Sequence, residues 1–354
     1  MDRTLGFLKD LVEAHGAPGF EGDVVPVMEK HLKGVGPFSR DKLGSFMCEK
    51  KGTSAAPRVM LMGHLDEVAF MVKSITKEGF VKFLPLGGWW GHVVLGQRLI
   101  IKTRKGDVIG VVGSKPPHEL RDEDRKRVLE IKDLFIDVGA TADWDVKKKL
   151  DIRPGDPIIP DSAFTVMANP DLLLAKAWDN RIGCAIAAET ARRLSGVSHP
   201  NTVIAGATVQ EEVGLRGAMT SVYKVQPDVA FALDVGIAHD TPGTEGDERL
   251  GGGPLVVVYD ATSIPNRGLL DLVTDTARKL RMSLQFESVE RGGTDAGRFH
   301  VHGQGVPSIS MGVPARYIHS HVSIIDRRDF ESTVRLLLAI IKRLDAKTVA
   351  GLTR

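Results

Sequence analysis

The chain has 354 residues, 42% of them hydrophobic and 26% charged, a globular balance that argues against disorder. Lys and Arg number 47 against 45 Asp and Glu, a formal net charge of +2, so there is no electrostatic reason to expect nucleic acid or an anionic membrane as partner. The length exceeds the ~250–300 residues at which a single core stops growing, which predicts two domains in one polypeptide.

Residues 2–35 read as two helices, with Leu5, Leu8, Leu11 and Val12 on one stripe and Val24, Val27, Met28 and Leu32 on the next. Pro26 is tolerable only near the first turn of the second helix. Asp2, Arg3, Lys9, Asp10 and Glu13 interrupt the apolar positions of the first, which rules against a secretory leader. Val59-Met60-Leu61-Met62 is wholly apolar, the mark of a strand buried on both faces, and it stops at Gly63-His64.

Between 69 and 168 the pattern changes to short β-like runs, at 70–75, 80–84, 98–103, 108–112, 134–138 and 157–160. Turns such as Lys105-Gly106-Asp107 and Pro154-Gly155-Asp156 separate them, which predicts a small barrel or sandwich. One candidate helix, 140–150, interrupts this block. The charge-dense stretches 121–127 and 147–149 read as solvated faces.

Beyond 172 strand and helix alternate: helix 179–195, strand 202–208, helix 214–223, strand 229–233, strand 255–259, helix 267–281, strand 308–311 and a terminal helix from 326 to 347. The alternation predicts an α/β fold with a mainly parallel sheet flanked by helices. Residues 1–68 and 169–354 then form one discontinuous domain, with the β-rich block 69–168 inserted into it. The longest apolar run, 336–341, falls well short of the ~18 residues that span a bilayer. Cys48 and Cys184 are the only cysteines, which excludes a disulfide framework and favours a reducing, cytoplasmic setting.

Five segments end an apolar run with an acid or an imidazole: Gly63-His64-Leu65-Asp66-Glu67, Trp178-Asp179-Asn180, Gln210-Glu211-Glu212, Leu233-Asp234 and Ile318-His319-Ser320. Ligands of open α/β sheets bind beyond the carboxyl ends of the strands, so such residues converge there. Singly, each has a bland explanation: a structural histidine, a solvated acid pair, a helix N-cap at Asp179. Jointly they supply donors suited to zinc, cobalt or manganese. Two imidazoles and three carboxylates can hold two cations about 3.5–4 Å apart. Asp179 suits a bridging position, His64 with Asp234 completes one cation, and Glu212 with His319 completes the other. Asp66 is close enough to accept the second ring N–H of His64 and fix its tautomer. Glu211 is left over, free to take a proton from attacking water and hand it to a leaving amine.

These residues lie in motifs that resemble the glutamyl/deblocking aminopeptidases, the tetrahedral (TET) metallo-aminopeptidases. The resemblance rests on Met62-Gly63-His64-Leu65-Asp66-Glu67-Val68, on Val209-Gln210-Glu211-Glu212-Val213-Gly214-Leu215-Arg216-Gly217-Ala218, on Ala232-Leu233-Asp234-Val235 and on Arg316-Tyr317-Ile318-His319-Ser320. It extends through Gly87-Gly88-Trp89-Trp90, Leu95-Gly96-Gln97-Arg98, Ile136-Asp137-Val138-Gly139-Ala140 and Gly292-Gly293-Thr294-Asp295-Ala296-Gly297, nearly end to end. It implies His64, Asp179, Glu212, Asp234 and His319 as ligands of two divalent metal ions, zinc or cobalt with manganese as a further option, and Glu211 as general acid/base. It also implies short peptides as substrate, a dimerisation role for the inserted block, and assembly of dimers into a hollow dodecameric tetrahedron. Thr294, Asp295 and His321 are expected at the substrate pocket. His321 stands where the family usually has Pro after His-Ser, and His92 is also unlike its counterparts.

Two other functions are weighed against this one. An endoglucanase-type glycoside hydrolase needs a free acid and nucleophile pair, whereas here the acids are better explained as ligands and there are only four Trp to form a sugar platform. A non-catalytic assembly protein of the same fold would be expected to have lost a ligand or the base, and none is substituted.

Overall fold

A computed structural model describes residues 2–353, and its centre is an eleven-stranded sheet. Nine strands lie in the order Phe38–Arg40, Phe46–Lys51, Thr202–Thr208, Arg58–His64, Val229–Ile237, Ser308–Arg316, Ser323–Asp326, Leu172–Ala175 and Thr165–Val166. The strand Leu255–Tyr259 pairs antiparallel with Ser308–Arg316 and parallel with Gln285–Ser288. The four central strands run parallel to one another. The flanking pairs are antiparallel, so the expected parallel sheet is the core of a mixed one.

The period-2 pattern of the central strands explains the layers. Val59, Leu61, Phe231 and Leu233 face a core closed by the helices Arg3–Glu13, Val25–Leu32, Trp178–Arg193, Arg267–Lys279 and Arg327–Ile341. Met60, Met62, Ala230 and Ala232 face the other side, covered by Arg216–Val225 and Ala296–Phe299. A strand buried on both faces must be apolar throughout, which is why these runs stood out in the sequence.

The strands Ala69–Ile75, Val81–Leu86, Phe135–Asp137, Gly106–Gly113, Arg98–Thr103 and Pro157–Pro160 close, in that order, into a six-stranded barrel. Phe70, Val72, Val81, Phe83, Leu99, Ile101, Ile136 and Ile158 fill it. Every barrel strand lies between the sheet strands Arg58–His64 and Thr165–Val166 in sequence, so the chain leaves the sheet once and returns once.

Some elements differ from expectation. The candidate helix at 140–150 is present as a shorter helical segment over 143–149, of which Asp145–Lys149 is a π-helix. The terminal helix stops at Ile341, where Asn201 donates to the carbonyls of Ile341 and Leu344. Asp345 then caps a separate helix, Ala346–Ala350, by accepting from the Thr348 N–H.

Candidate metal centre

Strand register opens the crevice. Arg58–His64 and Val229–Ile237 pair in parallel up to Met62 opposite Ala232 and no further. His64 and Asp234 each lie two residues beyond that last pair, where the strands part. On the other flank Thr208 pairs with His64, and the chain then turns to present Glu211 and Glu212. Asp179 arrives on the start of the helix Trp178–Arg193 in non-helical backbone, and it is Asn180 rather than Asp179 that caps the helix, by accepting from Gly183 N. That helix start presses directly on the strand end. A Cβ on Gly63 would lie 2.4 Å from the Cys184 nitrogen, and one on Gly183 would lie 2.0 Å from the Leu233 carbonyl oxygen. Asn180 locks the approach, its side chain donating to Leu233 O at 2.7 Å and accepting from Gly183 N at 2.9 Å.

Asp179 joins the two imidazoles. Its Oδ1 lies 3.2 Å from His64 Nε2 and its Oδ2 lies 3.3 Å from His319 Nε2. Asp234 Oδ1 is 4.0 Å from His64 Nε2, and Glu212 Oε2 is 3.6 Å from His319 Nε2. Two donor groups result, each with one ligand atom per residue and all within 4.8 Å of one another: His64, Asp179 and Asp234, and then Asp179, Glu212 and His319. Glu211, whose Oε2 is 3.7 Å from His64 Nε2, belongs to neither. Ala177, Gln210, Tyr317 and His319 take left-handed backbone within two residues of these side chains. Such conformations cost on the order of 1–3 kcal/mol each and cluster at functional sites.

Burial pushes Glu211 and Asp234 well above the usual carboxylate range and Glu212 up to about 8, with neighbouring acids adding to the shift and imidazoles opposing it. Burial works against charge on both rings. Glu211 and Asp179 nonetheless hold His64 well above its ordinary value, while Asp179 and Glu212 hold His319 at about 10. Buried acids that repel one another make this a place where a divalent cation is electrostatically favoured. Glu212 Oε1 is buried without a hydrogen-bond partner, and each group mixes imidazole nitrogen with carboxylate oxygen. The residues present fit two divalent cations.

Asp66 differs from its expected part. His64 Nδ1 is 3.0 Å from the backbone carbonyl of Asp66 and 3.5 Å from its carboxylate. The carboxylate instead accepts the backbone N–H groups of Glu211 and Glu212, each at 3.0 Å. A loop that must present two adjacent acids has its own N–H groups to satisfy, and the buried Asp66 carboxylate accepts both at 3.0 Å while its Oδ1 stays 3.5 Å from the ring.

The two groups open onto a cavity of 680 Å³ whose wall includes Ile237, Val257, Thr262, Val289 and Thr294. Asp295 is buried beneath, where Thr208 donates to it, and burial pushes its carboxyl up to about 7. His321 joins neither donor group and does not line this cavity, and its Nδ1 is buried without a partner. His92 lies on the barrel against Trp90. Two features escaped the sequence reading. Arg291 is the one Lys or Arg lining the cavity among the described residues, and it makes no hydrogen bond or ion pair there. Gly88 accepts from His319 Nδ1 at 2.9 Å through its carbonyl, a contact with no side-chain signal to find.

A family model described as M42 glutamyl aminopeptidase matches residues 44–336. The glutamyl aminopeptidase of Lactococcus lactis is 40% identical over 347 residues, covering 97% of this chain and 97% of that protein. A TET aminopeptidase structure from a marine sediment Thaumarchaeota archaeon superposes with a TM-score of 0.97 at 44% identity, covering 99% and 100% of the two chains. The TET1 peptidase of Pyrococcus horikoshii, which can assemble into a tetrahedron or a large octahedral shell, superposes at 0.85 with 30% identity, covering 96% of this chain and 100% of that one. With the family model matched over residues 44–336 and its fold and nearly its whole length in common with these proteins, the chain belongs to the M42 glutamyl aminopeptidase family.

Proposed function

We propose that the chain is a metallo-aminopeptidase that removes N-terminal residues from short peptides at a centre for two divalent cations. The observation that carries this reading is the Asp179 carboxylate, which offers separate oxygens to two imidazoles at 3.2 and 3.3 Å. His64 and Asp234 complete one position, and His319 and Glu212 the other. Bound zinc, cobalt or manganese would supply Lewis-acid charge at the scissile carbonyl and to the attacking water. Glu211, uncommitted to either group, accepts the proton of that water and delivers it to the departing amine. Asp66 holds the backbone of Glu211 and Glu212 so that one acid faces each task. The cavity takes the N-terminal side chain, with the unpaired Arg291 on its rim.

Activity on aminoacyl-anilides falls to background after dialysis against a strong chelator and returns on adding zinc, cobalt or manganese. Hydrolysis that survives chelation, on anilides or on a β-glucan, rejects the centre.

We take residues 69–168 as a dimerisation domain inserted into a catalytic domain of residues 1–68 and 169–354, and we take the dimers to assemble further into a dodecamer. Support comes from Trp90 and Trp144, two large aromatics of this block left 62% and 57% exposed. The assembly of the Pyrococcus horikoshii relative adds to it. Sedimentation reads the outcome: a species near twelve times the chain mass of 38.4 kDa is expected, and a monomer at micromolar concentration rejects it.

A further inference from the structure

The two donor groups are supported from different parts of the molecule. His64 is 2% exposed and rests on its own segment, its Nδ1 at the Asp66 carbonyl, while Asp234 accepts from the Val235 N–H beside it. His319 is in the opposite situation. Its side chain is 40% exposed, its backbone is left-handed, and its Nδ1 donates to the carbonyl of Gly88, 231 residues away on the barrel side of the crevice. With the ring 40% exposed, its orientation rests on that hydrogen bond at Nδ1 and on Asp179 and Glu212 at Nε2, and only the first comes from the barrel side.

Gly87 and Gly88 follow the barrel strand Val81–Leu86 directly. A Cβ on Gly87 would stand 3.1 Å from Glu212 Oε2, and one on Gly88 would stand 3.0 Å from His319 Nδ1 with only the same ring otherwise near it. The turn thus lies against Glu212 and His319. It is anchored in the barrel by Trp89, whose Nε1 donates to the Ala69 carbonyl at 3.0 Å and whose ring stacks on Phe70 at 4.5 Å.

We infer that the Gly87-Gly88 turn is a positioning element for one cation alone: through the Gly88 carbonyl the inserted barrel sets the orientation of His319. Occupancy of the Asp179, Glu212 and His319 position is then under the control of the barrel. The His64, Asp179 and Asp234 position is supported from within the sheet. This rests on the two-cation reading above and adds an unequal dependence to it.

The test is Gly88→Ala. Gly88 does not take a left-handed φ, so the backbone accepts alanine and the new methyl meets only the His319 ring. Chelated protein is dialysed against zinc buffered by a competing chelator, and bound zinc is counted per chain by mass spectrometry. Wild type takes up two. The variant should keep one at wild-type affinity and bind the second roughly 10- to 100-fold more weakly, because the methyl, 3.0 Å from His319 Nδ1, pushes the ring off the carbonyl that alanine still carries, with the effect of losing a partner of a ligating histidine. Trp89→Phe, which keeps the stacked ring and drops the indole N–H, should weaken the same zinc by less, and it decides the matter if Gly88→Ala does not fold. Circular dichroism of the zinc-free variants should match wild type. Variants that lose neither zinc, or both equally, overturn this inference alone. A wild-type chain that takes up fewer than two overturns the metal-centre reading and this inference with it.

Discussion

Replacing Glu211 by Gln should leave the cation content at the wild-type level and lower kcat by roughly 10²- to 10⁴-fold, the range for a lost general base. The substitution keeps the shape of the side chain and removes its ability to accept a proton. Glu211 belongs to neither donor group, so its loss should not release a cation. Its backbone N–H remains tied to Asp66, which holds the neighbouring Glu212 in place as well. Burial, with Asp234, Asp295 and Glu212 nearby, raises its carboxyl against the pull of His64. The group therefore has a high affinity for a proton before any cation is added. A variant that turns over leucyl- or glutamyl-anilide within threefold of wild type would remove Glu211 from the mechanism. A variant that loses a cation would make it a ligand instead.

The second large effect is expected at Asp179. Asp179→Ala should abolish binding of both cations and reduce activity below about one thousandth, because the residue contributes to both donor groups. Substitution of Asp234 or Glu212, each confined to one group, should release one cation. Burial alone would neutralise the Asp179 carboxyl, but the hydrogen bonds from His319 and His64 outweigh it and hold the group well below the ordinary range. Without it the two rings would keep acids beside them but lose the group that links them. Metal counted per chain separates the cases: one cation retained by Asp179→Ala would mean that it serves a single position.

The residues that can be read as a site are those where a buried strand stops. Val59 to Met62 and Val203 to Ala207 are apolar because both faces are covered, so an imidazole or acid just past their ends stands out without any structure. Asp234 was legible for the same reason, although its strand runs on to Ile237. The strands Phe38–Arg40, Thr165–Val166, Leu172–Ala175 and Ser323–Asp326 gave no such signal, being two to four residues long with identity set by their neighbours. The helix expected at 140–150 forms, but helical spacing alone does not distinguish the π-helix Asp145–Lys149 from an α-helix.

The part played by Asp66 shows the limit for the site itself. Proximity to His64 suggested a side-chain bond to the ring, yet the backbone takes the ring and the carboxylate takes two amides from a segment 145 residues away. Backbone partners leave no trace in residue type, and the same holds for Gly88 and His319.

By itself, then, the amino-acid sequence determined which apolar runs are buried on both faces, which donor residues end them, and which family the chain falls in, since each depends on residue type and local spacing. Only the tertiary structure decided how near the donors on either side of Asp179 come to one another, which carbonyl holds each imidazole, and that a barrel loop reaches one group and not the other. Those are matters of strand divergence and of contacts made across the fold, where the partner is a backbone atom shared by every residue.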